Sequence, residues 1–137
     1  MFAQQNPDQT FDSYIHTILL HPQGRPKDIP VIGLNDPNVL SISFDDFNFK
    51  YQNYFYSIEL VDDNWQPVPL SPFDYTRGFS QNKINDFKIS SIAIQQYYHY
   101  QFSLPNQNCT PTKAGNYILK VFRDGDPTQI VFTRRFY

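Results

Sequence analysis

Helix-sustaining residues are almost missing from this chain. Glu59 is the single Glu among thirteen acidic residues, and Ala occurs only at Ala3, Ala93 and Ala114. Both residue types hold a helix at little entropic cost, so their scarcity removes most helical folds from consideration. Eleven Pro, spread through the polar stretches between apolar runs, would interrupt long helices and suit a chain of many short segments. Strands must carry the fold.

The apolar pattern agrees, because its period is two. In VLSISFDD, Leu40, Ile42 and Phe44 share one face while Ser41 and Ser43 share the other. Tyr54, Tyr56, Ile58 and Leu60 alternate with Phe55, Ser57 and Glu59; Tyr98, Tyr100, Phe102 and Leu104 alternate with Tyr97, His99, Gln101 and Ser103; Tyr117, Leu119 and Val121 alternate with Ile118 and Lys120. Three further runs, YIHTILL near the start, DFKISSIAI at 86–94 and the final run at 129–137, bring the count to about seven strands. The last two runs flank Asp124, Gly125, Asp126 and Pro127, which is hairpin turn chemistry. At 137 residues the chain suits one domain with a real core. The expectation is an all-β, immunoglobulin-like or fibronectin III-like β-sandwich of seven to nine strands over residues 14–137, after a flexible opening segment at 1–13.

Two aromatic residues stand out as structural. Tyr117, at the start of the penultimate strand after TKAG, fits a tyrosine corner, whose hydroxyl bonds to upstream backbone and pins the cross-over between sheets. Trp65 follows an Asp-Asp-Asn turn that closes the Tyr-rich strand, and packing at the sandwich end is its expected role. One insertion at 66–85 breaks the strand rhythm. Ser71 can cap a short helix there, Pro72 can occupy its first position, Asp74 suits the positive end of its dipole and Gly78 can end it. A helix of one to two turns is expected, covering a sheet edge or building a binding surface.

Chemistry is poorly represented. His16, His21 and His99 lie at no metal-ligand spacing from one another or from Cys109, and no nucleophile motif is present. Cys109 has no partner in the chain and reads as a buried, inert thiol. The doublets Asp45-Asp46 and Asp62-Asp63 and the DGD at 124–126 could gather calcium, but each also sits where a turn is expected, and Asp is favoured in turns for its own backbone bonding. Neither a catalytic centre, a cofactor nor a metal is expected. A net charge of -2 favours neither nucleic acid nor an anionic membrane, and no apolar run reaches transmembrane length. Phe2-Ala3-Gln4-Gln5 resembles residues that follow an export-signal cleavage site.

The aromatic content, 18% of the chain, is the oddity. FDDFNFKYQNYFYSI and QQYYHYQF place rings on both faces of their strands, more than one core should need, so some rings are expected to be exposed. Exposed rings serve protein contacts or stack on sugars, and composition leaves both open.

Read in order, LHPQGRP at 20–26, LSISFDD at 40–46, the Tyr-rich strand leading to DDNWQP, LSPFDYTRGF at 70–79, YYHYQFSLPN at 97–106, AGNYILKVFRDGD at 114–126 and VFTRRF at 131–136 resemble the N-terminal domain of the type IX secretion system plug protein of Bacteroidota, once a domain of unknown function. The resemblance implies a non-enzymatic first domain of a longer, exported periplasmic protein. Such a protein associates with the outer-membrane translocon barrel and helps close its periplasmic end. Under that reading LSPFDYTRGF and HPQGRPKD present contact residues, with Arg25, Phe73, Tyr75 and Arg77 as candidates, since aromatics and Arg dominate interfaces. A carbohydrate-binding sandwich using exposed Tyr and Trp is the alternative.

Overall fold

A computed structural model describes residues 8–25, 29–33, 39–47, 52–92, 95–126 and 128–137. The stretch around Phe2 read as following a cleavage site, and Pro127 of the last turn, lie outside the described residues. In chain order the elements are β1 (Gln9–Thr10), β2 (Ile15–Pro22), β3 (Leu40–Asp46), β4 (Tyr54–Val61), α1 (Pro72–Tyr75), β5 (Thr76–Gly78), β6 (Asn82–Lys83), β7 (Asp86–Ile92), β8 (Gln95–Leu104), β9 (Cys109–Pro111), β10 (Asn116–Arg123) and β11 (Ile130–Phe136). The strands of seven residues or more are the seven that alternation predicts; the others have two or three residues each.

Two antiparallel sheets face each other. One has the order β2-β3-β8-β7 and the other β1-β11-β10-β4-β6, while β5 and β9 pair separately. In immunoglobulin lettering these are A-B-E-D against G-F-C, with β6 added beyond C. The fold is therefore an immunoglobulin-like β-sandwich. Its core forms where the inward rows meet: Leu40, Ile42 and Phe44 from β3, Tyr54 and Tyr56 from β4, Tyr100 and Leu104 from β8, Leu119 and Val121 from β10, and Phe132 and Phe136 from β11. Phe44 is the hub of its aromatic centre, lying 5.2 Å from each of the Tyr54, Tyr100 and Phe132 rings. Truncating such a buried ring to Ala costs about 3–5 kcal/mol. The described rings of the two aromatic-rich segments are buried or half-buried, so these rings go into packing.

The sheets correct the reading of one acidic doublet. Asp45 and Asp46 belong to β3 and not to a turn, so they point to opposite faces. Asp46 continues the inward row, fully buried, and its carboxylate accepts the Tyr54 hydroxyl at 2.7 Å. Asp45 faces outward and pairs with Nδ1 of His99 on β8 at 2.6 Å. Asp62 does serve a turn, accepting the backbone N–H groups of Asn64 and Gln66 at 2.8 and 3.0 Å. In the last hairpin Asp124 and Gly125 both have positive φ, 56° and 70°, and the Asp126 N–H donates to the Arg123 carbonyl at 2.9 Å. That mirror-image turn matches the twist of β10 and β11.

Residues 8–10, the first described part of the opening segment, are paired. Gln9 and Thr10 pair with Thr133 and Phe132 of β11, so paired structure begins before residue 13. Arg134 donates to the Gln9 carbonyl at 3.0 Å, and Asp8 accepts the Arg135 backbone N–H at 2.8 Å. These side chains fix a two-residue strand too short to hold itself.

Candidate interaction surface

The topology brings the loops after β2, β4 and β8 to one end of the sandwich, where β10 starts and β11 stops. Trp65 closes the turn after β4 there, with φ +62°, and its half-buried ring meets Tyr137 edge-on at 5.7 Å. Tyr117 sits at the foot of β10. Its hydroxyl donates to the Lys113 carbonyl at 2.6 Å, and its ring stacks on Phe136 at 5.2 Å. One side chain thus ties the β8–β10 cross-over to the core.

α1 is a single turn mounted on this end. Ser71 precedes it in extended conformation, and the Asp74 carboxylate accepts the Ser71 backbone N–H at 2.9 Å, half of a capping box. Gly78 does not end the helix, contrary to expectation. The chain is already extended at Thr76, with φ -130° and ψ 130°, and runs straight into β5. Gly78 is required for a different reason: it has φ +111°, and a Cβ there would lie 2.2 Å from the Asn108 carbonyl oxygen. Pairing of β5 with β9, the Thr112 N–H donating to the Tyr75 carbonyl at 2.8 Å, and the Phe79 N–H donating to the Asn108 carbonyl at 2.8 Å clamp the insert to the β8–β10 connection.

The four contact candidates divide. Phe73, on α1, is 78% exposed, and Arg77 and Arg25 are exposed as well. Tyr75 is not a surface residue. It is 3% exposed and meets the Tyr117 ring edge-on at 6.2 Å, because a one-turn helix that leads directly into a strand must turn one side inward. Burial, with Glu59 nearby, raises its phenol pKa. Tyr75 is the anchor of the insert and leaves the contact set. Leu70 and Phe79, the latter 64% exposed, extend the apolar surface on either side of α1 in sequence. Neither is marked out by the sequence, because a loop of Pro, Ser and Gly has no period from which a facing side can be read.

Other chemistry is quiet among the described residues. No group of three or more His, Cys, Asp or Glu converges there. Cys109 is buried, and desolvation pushes its thiol up to about 11, well away from a thiolate at neutral pH. Among the described residues the exposed rings are Phe11, Tyr14, Phe73, Phe79 and Phe87, mostly phenyls rather than a row of Tyr and Trp.

The profile of the type 9 secretion system plug protein 1st domain matches residues 15–137. The chain belongs to that family. It is thus a plug domain of the type IX secretion system, a secretion component. A crystal structure of a hypothetical protein from Parabacteroides merdae ATCC 43184 contains a similar unit, with a TM-score of 0.88 and 30% identity over 94% of this chain. The plug domain spans 32% of that longer protein. No curated protein matches the chain. No helix among the described residues is long and apolar enough to cross a membrane.

Proposed function

We propose that this plug domain is a non-enzymatic docking module of a periplasmic protein, which holds that protein against the inner face of the outer-membrane translocon barrel and helps close its periplasmic end. Further domains of the same protein would complete the closure. The observation that carries the reading is the α1–β5 insert. A large phenyl group, Phe73, stands 78% exposed on a turn whose neighbour Tyr75 is locked in the core. Holding an apolar ring in water on a rigid mount is unfavourable for an isolated domain, and such a ring is what an interface uses as an anchor. Arg77 on β5 and Arg25 after β2 lie at the same end and supply the charged companions that interface anchors commonly have.

The test is capture of the translocon by the full-length protein carrying Phe73→Ala, Arg77→Ala and Arg25→Ala together. Tyr75 stays intact so that the fold is preserved. Capture should fall by tenfold or more, about the effect of losing one hot-spot side chain, while the melting temperature moves little. Unchanged capture would reject this contact set.

A further inference from the structure

Beside α1, the connection from β8 to β10 borders a cleft of about 740 Å³. Its accessible apolar lining is the half-buried Ile32, Pro105 and Tyr137; the stacked rings of Tyr117 and Phe136 also border it but are buried. Among the described residues its charged side chains are Arg77 from β5 and Lys113 from the connection, and none of its described lining residues has a carboxylate side chain. Three other cations of the domain are neutralised: Lys120 pairs with Glu59, Arg123 with Asp12 and Arg135 with Asp8. Among the described residues neither Arg77 nor Lys113 has such a partner, and both are exposed.

Two cations without a carboxylate partner among the described residues, beside an apolar lining, define what can fill the space. A cleft walled by low-dielectric material concentrates the field of its charges, so it attracts anions more strongly than the net charge of the domain implies. The guanidinium of Arg77 suits a carboxylate held by two hydrogen bonds, and Lys113 adds a mobile point charge. The apolar lining favours a ring or a branched apolar side chain, and the exposed Gln107 amide can bond a peptide backbone.

We propose that this cleft binds a short, extended, acidic–aromatic peptide segment of a partner protein, with its carboxylates on Arg77 and Lys113 and its ring against Ile32, Pro105 and Tyr137. The proposal goes beyond the docking reading and is independent of which protein carries the segment.

Selection of a random heptapeptide display library against the full-length protein tests it without any translocon, so its failure is separable from failure of the docking reading. Recovered peptides should be enriched in Asp or Glu within a few residues of Phe, Trp or Tyr. Their binding should weaken about tenfold or more in the Arg77→Glu, Lys113→Glu double variant and stay within about twofold in Lys88→Glu on β7, the ratio expected when two attractive charges become repulsive at one site only. If the double reversal lowers the melting temperature, Arg77→Gln with Lys113→Gln should still weaken binding and remove its salt dependence. Recovery of peptides without acidic enrichment, or binding unaffected by either double variant, would overturn the proposal.

Discussion

Replacing Tyr117 by Phe isolates the hydroxyl that ties the β8–β10 cross-over to the core. The ring itself stays, stacked on Phe136 and edge-on to Tyr75, so apolar burial is unchanged. What is lost is the 2.6 Å bond to the Lys113 carbonyl. A neutral hydrogen bond contributes about 0.5–1.5 kcal/mol net, and a short bond from a buried phenol belongs at the upper end, so a loss of about 1–1.5 kcal/mol is expected. Lys113 itself is exposed, and water can take over its carbonyl, so no further penalty for an orphaned acceptor applies. With a urea m-value of about 1.5 kcal/mol/M for a domain of this size, the midpoint should fall by about 0.7–1 M at constant m. Trp65 is the chain's single Trp and packs on Tyr137 at the same end, so its fluorescence reports the transition. Tyr117→Ala, which removes the ring too, should cost about 3–5 kcal/mol. A Phe variant with an unmoved midpoint, or one as damaged as the Ala variant, would refute the assignment of the hydroxyl as a discrete tie.

Three other outcomes follow from the same structure. Gly78→Ala forces a Cβ against the Asn108 carbonyl at a positive φ, so it should free β5 from β9 and speed amide exchange at 76–79 and 109–111, while the core strands of both main sheets keep their protection. Asp46→Ala leaves the buried Tyr54 hydroxyl without the carboxylate it donates to, and chemical denaturation should show a loss of about 1–3 kcal/mol. Burial holds Cys109 at about 11 and Tyr56 and Tyr117 at about 12, above their ordinary 9.0 and 10.0, so the unfolded chain sheds these protons first. Stability should therefore be fully present below about pH 9 and decline between about pH 9 and 12, with a shallower decline in Tyr117→Phe; a urea midpoint that rises across that window would contradict the assignment.

What could be read from the sequence divides by the range of the interactions involved. Strands such as β3, β4 and β10 declare themselves because a half-buried strand imprints its two faces on successive residues: β3 alternates throughout, and β4 and β10 do so until the adjacent buried pairs Leu60-Val61 and Val121-Phe122 near their ends. β2 blurs that signal: its register shifts between His16 and Leu19, where Thr17 has φ +53°, so one stretch of its pattern slips between faces. β1, β5, β6 and β9 are too short to have a period at all. Each exists because a distant partner holds it, as Arg134 and Arg135 hold the segment around Gln9, and sequence separation hides that cause. Tyr75 illustrates the same limit at the candidate surface. Its neighbours Ser71, Pro72 and Gly78 suggest a solvent-facing loop, yet its ring is turned inward by the clamp between α1 and Thr112, which lies 37 residues further along the chain. The local capping signals at Ser71 and Asp74 were legible because they act across three residues.

In the proposed docking mode the α1 face of this domain meets the translocon. The most direct measurement is site-specific photocrosslinking in cells, with a photoreactive phenylalanine at position 73 and, as the control, at position 89 on β7, where Ile89 is also well exposed. A crosslink from position 73 to the translocon barrel and none from position 89 is the expected result. Crosslinks from position 89 alone, or from neither position while the full-length protein still co-purifies with the barrel, would contradict it.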